Sequence, residues 1–411
     1  MTNSIYIFFA LLFFNSGICQ LNNLTASPYS LFGLGKINEY NIGITNSLGR
    51  AGIALSGESE LNGLNPSSLA TTPLNKFFFD FGLKSEYNSF GNSNSSSKIP
   101  SFGFSNISIG LPLDSISGIS ISLMPYSEVG YLFAGVVNNI GGSTETYQST
   151  INGSGGINAV SVNYGRKMNK KLNLGISTHY LFGTIKQMEM VQLEFDYLTL
   201  EDKSYYSGFD IGAGMQYQLN PHLSVASVLK IESRLNGTKD RQVKKIVDQT
   251  PEDIEQQKNL RLKSYKMPTE ITIGIKYNFR TFNFVSDYKR SFYNSLNQSD
   301  AIGRYTDANM LGFGIEKRSA SDRRAERDFR FRVGYNYDDG NLRVNGKKIA
   351  TSAITAGLGI SLDNRKQSYL NISYAYSSRG VVSNILVKEY YHTISLNFDF
   401  SDIWFVKRRY D

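Results

Sequence analysis

The chain has 411 residues, of which 41% are hydrophobic and 19% charged, with a formal net charge of +8. Mean hydropathy is −0.27, and past the first residues no apolar run approaches the roughly 18 that a bilayer-spanning helix needs, so a helical membrane protein is excluded. A membrane barrel is not, because it hides its apolar content in every second residue, and the 26 Tyr and 26 Phe are the residue types that its interfacial girdles consume.

The chain opens with an unbroken apolar stretch, Ile5 to Phe14. This has the length of a signal-peptide apolar region and is too short to span. Gly17 and Cys19 supply small residues for cleavage after Cys19, although no Lys or Arg precedes the apolar run. Residues 1–19 are therefore expected to be a signal peptide that exports the chain. Cys19 is the single cysteine, so the mature chain has no disulfide and no thiolate metal site. Acylation of Cys19 is disfavoured by Ile18, which stands where a small residue is expected.

Residues 20–73 precede the first strand and are rich in Gly, Asn and Ser. The segment is too long for a tail and carries apolar anchors such as Tyr29, Phe32, Leu48 and Leu55, so it should pack against something, and a barrel lumen is the available partner. It is assigned as an N-terminal hatch.

From residue 74 to 411 the pattern is one of short alternating strands. Phe77, Phe79, Phe81 and Leu83 oppose Asp80, Gly82 and Lys84; Ile271, Ile273, Ile275 and Tyr277 oppose Thr272, Gly274, Lys276 and Asn278. Ile394, Leu396, Phe398 and Phe400 oppose Thr393, Ser395, Asn397 and Asp399. A soluble sandwich would show the same alternation strand by strand. Loop length separates the two. Short connections near residues 113–117, 166–171, 219–222, 279–282 and 362–367, with a moderately longer one near 319–327, alternate with long ones near 88–100, 131–155, 186–203, 236–267, 291–307 and 339–349, among which only 378–384 is short. Segregation of loop length by parity is a property of outer-membrane barrels, with short periplasmic turns and long extracellular loops. The fold class is all-β, a transmembrane antiparallel barrel of about fourteen strands with an N-terminal lumenal hatch.

Pro125 falls within the third strand, where its missing donor forces a bulge or local opening, or at that strand's end; the sequence leaves both readings open.

Six stretches carry a family resemblance. Leu48-Gly49-Arg50-Ala51-Gly52-Ile53-Ala54 followed by Asn65-Pro66-Ser67 resembles the N-terminal signature of FadL-type outer-membrane transporters, with Ser67 where that pattern has Ala. Ser27 to Gly35, Met124 to Tyr131, Gly153 to Asn158 and the closing Trp404 to Arg409 resemble the version of that family found in Bacteroidetes. The resemblance implies a fourteen-stranded barrel blocked by a hatch, through which hydrophobic small molecules such as fatty acids or aromatic hydrocarbons pass along an apolar lumenal path and leave sideways through a break in the third strand. On this chain it marks Gly49, Arg50, Asn65 and Pro66 as hatch residues, with Asn65 and Pro66 beside the exit, and Pro125 and Tyr126 as the lateral opening. FadL-type barrels also include accessory components of type IX secretion, which implies other outer-membrane or secreted proteins as the alternative partners.

Other chemistry is disfavoured. His179 points to the lumen by parity, His222 lies in a tight turn and His392 faces outward near the rim, so the three histidines do not form a metal set. Gly175-Ile176-Ser177-Thr178-His179 lacks the second Gly of a nucleophile elbow and lies in a strand. Gly153 to Gly156 precedes a strand rather than a helix and cannot cradle phosphate. The basic run between Lys230 and Lys266 is interrupted by Asp248, Glu252 and Glu255, which argues against nucleic acid. The expectation is a non-enzyme with no catalytic residues, metal or cofactor, whose partners are outer-membrane lipid and a hydrophobic ligand.

Overall fold

The computed structural model describes residues 27–38, 40–58, 60–91, 96–139, 144–192, 196–247, 250–300, 303–319, 328–363, 367–383 and 386–403. The expected signal peptide and the Trp404 to Arg409 motif lie outside the described residues.

Fourteen antiparallel strands close into a barrel. They are β1 Lys76–Gly91, β2 Ser96–Pro112, β3 Ser117–Asn139, β4 Thr146–Lys167, β5 Leu172–Gln192 and β6 Tyr197–Asn220. Next come β7, Leu223–Lys230 continued by Ser233–Val247, and β8, Thr250–Arg261, Tyr265–Met267 and Glu270–Phe279. The last six are β9 Phe282–Ser291, β10 Ala308–Arg318, β11 Phe329–Asp338, β12 Thr351–Ser361, β13 Tyr369–Gly380 and β14 Lys388–Ile403. Pairing of β1 with β14, from Lys76↔Ile403 to Gly91↔Lys388, closes the ring and leaves no free edge there.

Alternation decides the two faces as the sequence predicts. Ile273, Phe331, Val333, Ile354 and Ile394 are half exposed or more, whereas their neighbours Arg332, Thr355 and Ser395 are buried inside. Exposed aromatics stand toward both ends of the wall: Tyr277, Phe279, Phe284, Phe329, Phe331 and Phe400 toward the short-turn end, and Tyr288, Tyr335, Tyr337, Tyr374 and Tyr376 toward the opposite end. Such belts mark the two interfaces of a membrane barrel.

The long connections on the far side differ from expectation. Residues 131–155, 186–203 and 236–267 are largely strand: the barrel wall simply continues, so β3 to β8 stand far above β9 to β13. Beyond the bilayer neither face needs to be apolar, so alternation fades there while the ladder persists. The 303–349 region adds a small three-stranded sheet of Gly303–Tyr305, Leu342–Val344 and Lys347–Lys348.

The N-terminal segment lies inside the ring. It is built from tight turns, with 3-10 turns at Pro28–Leu31, Gly43–Ser47 and Pro66–Thr71, and it meets inward-facing positions of the wall. At its outer end Tyr29 and Phe32 cluster with Tyr305, Leu342, Val344 and Ile349 of the small sheet, which caps it from outside.

Candidate functional site

Glycine rows in the wall seat two turns of the segment. Gly165 pairs with Gly175, and Gly175 with Gly214, so three adjacent strands present a flat strip inward. Pro66 and Ser67 lie directly on it: a Cβ at any of the three glycines would collide with the Asn65–Ala70 turn. Asn65, fully buried, caps that turn. Its Oδ1 accepts from the Ser67 backbone N–H (3.0 Å) and hydroxyl (2.7 Å), and its Nδ2 donates to the Ile53 carbonyl at 2.8 Å. Pro66 takes the first position, where no donor is needed.

The second row is Gly314 and Gly334, paired across β10 and β11, against Leu48 and Gly49. Gly49 has a φ of 63° and sits between the backbones of Phe313 and Tyr335, so both its conformation and its surroundings demand glycine. Asp287 of β9 accepts the Gly52 N–H at 2.6 Å and the Ile53 N–H at 2.9 Å, while Thr355 of β12 accepts from Gly49 N–H at 3.1 Å. Glu60 bonds Arg330 of β11 at 2.6 Å. Burial of Glu60, opposed by the Arg332 guanidinium, reinforced by Asp399 and opposed again by Arg330, pushes its carboxyl up to about 7.

Among the described residues the wall is interrupted between β2 and β3. β2 and β3 pair only from Ile107↔Leu123 to Pro112↔Gly118. Above that point β2 stays with β1, and β3 turns to the N-terminal segment instead: Lys36 pairs with Glu128 and Ile37 with Ser127. Asn38 N–H donates to the Tyr126 carbonyl at 2.8 Å, the Ser127 hydroxyl to the Leu34 carbonyl at 2.6 Å, and Ser27 N–H to the Gly130 carbonyl at 2.7 Å. Bulges flank the separation, at Ser105 on β2 and at Tyr126 on β3. Pro125 is inside β3, opposite Asn158 of β4, which decides between the two readings left open by the sequence. On the lumenal side, Lys84 of β1 bonds Glu128 of β3 at 2.8 and 3.0 Å, and Lys36 bonds Glu86 of β1 at 2.7 Å. These four charges span the gap that β2 leaves.

A cavity of about 330 Å³ opens between the cap and the segment. Pro125, Met124 and Phe104 line it at the gap, and Arg50, Asn46 and Asn336 line it elsewhere. Resemblance implies an apolar lumenal path, whereas this cavity is mixed: Lys36, Lys84, Glu86, Glu128 and Glu270 line it together with Leu34, Phe104 and Met124. Tyr126, adjoining a second cavity of about 80 Å³, packs against Tyr40.

The structure thus separates the candidate residues into two places. Pro125 is at the gap and Tyr126 forms its bulge, and Arg50 lines the same cavity as Pro125, with its guanidinium 4.0 Å from Asp338. Asn65 and Pro66 lie on the glycine strip of β4 to β6 and do not line that cavity. The residues beside the gap that the sequence reading missed are Lys36, Lys84, Glu86 and Glu128; a charge at an inward position of a strand was the available signal. His179 points inward, bonds Ser161 at 2.6 Å and stacks on Tyr40 with ring centroids 4.4 Å apart. His392 lies outward with Tyr374, and His222 in its turn. Among the described residues no cluster of His, Cys, Asp and Glu could hold a metal.

The architecture has the fold of FadL-type outer-membrane barrels. The solved structures of similar fold include the CymD monoaromatic hydrocarbon channel (TM-score 0.62, 14% identity, 89% of this chain and 99% of that one). They include the Ralstonia pickettii toluene transporter TbuX (0.59, 14%, 88% and 98%) and a Pseudomonas aeruginosa FadL homologue (0.54, 11%, 86% and 97%). Within that fold the chain belongs to the BamG family, whose profile matches residues 1–411. No match was found among curated proteins.

Proposed function

We propose that the chain is an outer-membrane channel for passive uptake of hydrophobic small molecules, which leave the lumen sideways between β2 and β3, with residues 20–73 acting as its hatch. The observation that carries this reading is the loss of the β2–β3 ladder above Ile107 and Leu123, at a wall position where a cavity reaches Pro125 and Met124. An apolar solute gains by passing directly into lipid rather than through a watery pore. The fold's structural neighbours titled as hydrocarbon channels and toluene transporters are consistent with it.

The test clamps the segment into the gap. Ile37→Cys with Ser127→Cys, which face each other across the pairing, should form a disulfide in the Cys19-free chain. Liposomes bearing the barrel should take up oleate or toluene faster than empty liposomes, the oxidised clamp should abolish the difference, and reduction should restore it. Uptake indistinguishable from empty liposomes in the unclamped protein would end the reading.

A second reading, a protein-interaction barrel, is favoured by the tall wall of β3 to β8. Its top carries charges on both faces, as in Lys239 and Arg241 on Asp202 or Lys186 and Lys203 on Glu201. Shortening the β7–β8 hairpin between Arg241 and Gln256 separates the two: an interaction barrel loses a co-purifying protein, whereas a channel keeps its uptake rate.

A further inference from the structure

The cavity that reaches the gap is polar at its other end, and its polar groups are not all used. Asn336 of β11 is 1% exposed, lines the cavity, and neither its amide oxygen nor its amide nitrogen has a partner. Asn46 Nδ2 and Asn41 Oδ1, from the N-terminal segment on the other side, are also buried and unpartnered, and both residues line the same cavity. Ser373 of β13 and Ser395 of β14 complete that side. A polar atom left without a partner inside a protein costs about 1–3 kcal/mol, so a lumen that gathers two such donors, on Asn336 and Asn46, and two such acceptors, on Asn336 and Asn41, is arranged for something that supplies both acceptors and donors.

The charges nearby narrow what that is. Lys84 is neutralised by Glu128, Lys36 by Glu86 and Lys230 by Glu270, and Arg50 lies near Asp338. The cavity lining is close to balanced, with Lys36, Arg50, Lys84, Lys289 and Arg379 against Glu86, Glu128, Glu270 and Asp338, so charge does little to recruit an anion and the unpartnered amide atoms are what the polar end offers. At the other end, Ile37, Phe104, Met124 and Pro125 line the cavity where the wall is interrupted.

We infer that the ligand is an amphiphile with an uncharged, hydroxyl-bearing head, held by Asn336, Asn46 and Asn41, and an apolar tail directed to the β2–β3 gap. Solved neighbours of this fold are titled for toluene and monoaromatic hydrocarbons, which have no such head. The inference rests on the uptake reading and names its substrate class. It also accounts for a lumen with a polar and an apolar end, which a plain hydrocarbon would not require.

Three probes with different heads test it: octyl glucoside, octanoate and toluene, titrated calorimetrically into the full chain in lipid nanodiscs, with empty nanodiscs subtracted. Octyl glucoside should bind at least about tenfold more tightly than either of the others. Asn336→Leu, which keeps shape and removes both amide groups, should weaken octyl glucoside about tenfold and leave toluene unchanged, a loss of the size expected for one or two hydrogen bonds. Asn46→Leu, placed on the segment rather than the wall, should act in the same direction and serves if the first variant does not assemble. Toluene or octanoate binding as tightly as octyl glucoside, or glucoside affinity untouched by both variants, overturns the inference while the uptake reading stands. Failure of all three probes to bind removes both.

Discussion

The N-terminal segment is held in two different ways along its length. From Leu48 to Ala70 it touches the wall backbone to backbone, over glycines that leave no space for a side chain. From Ser27 to Asn38 it lies along β3 as a substitute strand, tied by a short ladder, hydroxyls and the Lys36–Glu86 ion pair. The first contact is fixed by shape, and shape has no second arrangement of similar energy. The second uses groups that water or another strand can replace. If any part of the segment moves, the physics assigns the movement to residues 27–38 and rigidity to 48–70.

The largest expected effect comes from filling the seat. Gly175→Val or Gly334→Val places a branched side chain where the Pro66–Ser67 or Leu48–Gly49 backbone now lies. Overpacking of this kind costs about 1–3 kcal/mol where neighbours can shift and more where they are backbone. Little heat-modifiable, folded barrel should be recovered, whereas Gly346→Ala, at a turn with open space around it but a φ of 74°, should assemble with only a mild loss. Equal recovery of Gly175→Val and native protein would show that the segment does not sit on the strip.

Next is Asp287, whose carboxylate accepts the Gly52 and Ile53 N–H groups. Asp287→Ala strands both donors inside the barrel and should lower stability by about 2–4 kcal/mol, read as a drop in the urea midpoint at constant slope. Both N–H groups reach the same oxygen, Oδ2, so Asp287→Asn can keep both bonds in neutral form and should recover about half of that loss.

A smaller effect concerns pH. The Glu60 carboxyl is raised from 4.5 to about 7 inside the barrel. A group raised on folding favours the folded state while it is protonated, so its contribution is complete below about 4.5 and is lost as pH rises through about 7. Glu60→Gln mimics the protonated form. The variant should match the native barrel at pH 5 and exceed it at pH 8.5 by roughly 1–3 kcal/mol. A native barrel that gains stability relative to Glu60→Gln across that range would mean that the Arg330 and Arg332 pairings outweigh burial.

How much of this was visible in the sequence follows the same division. The fourteen strands and their faces were legible because lipid outside and polar groups inside impose a strict period of two, as in Ile271 to Tyr277. Tops such as Lys239 to Ile246 were read as loops, since above the bilayer the ladder remains while the reason for alternation is gone. That residues 20–73 must pack against something was legible from their apolar anchors, and Gly49 and Asn65 were marked by motif resemblance alone. Their positions were not, because a motif does not say which strand it meets. A better signal lay unused in the wall: Gly165, Gly175 and Gly214 are inward glycines on three successive strands, and glycine at an inward strand position marks close backbone approach. The gap was half legible. Pro125 announced a disturbed third strand, but the early end of β2–β3 pairing is a relation between strands separated by a turn and could not be seen from either alone.

The smallest expected change is the one that separates the two halves of the segment most cleanly. Removing one member of a buried ion pair leaves an uncompensated charge and costs several kcal/mol, whereas replacing both with apolar groups of similar size is often close to neutral. Lys84→Met combined with Glu128→Leu should therefore leave the urea midpoint within about 1 kcal/mol of native. It also removes the side-chain bridge from β1 to β3 where the β2–β3 ladder is lost, while the Lys36–Glu86 pair and the 36–37 ladder remain. Hydrogen exchange should then quicken at Lys36, Ile37 and Asn38, with Gly49, Gly52 and Ile53 unchanged, because only the first group depends on the gap side. Uniform exchange changes along the whole segment would mean that it moves as one body, and that the contrast between a shape-fixed seat and a replaceable strand is not how this barrel is held together.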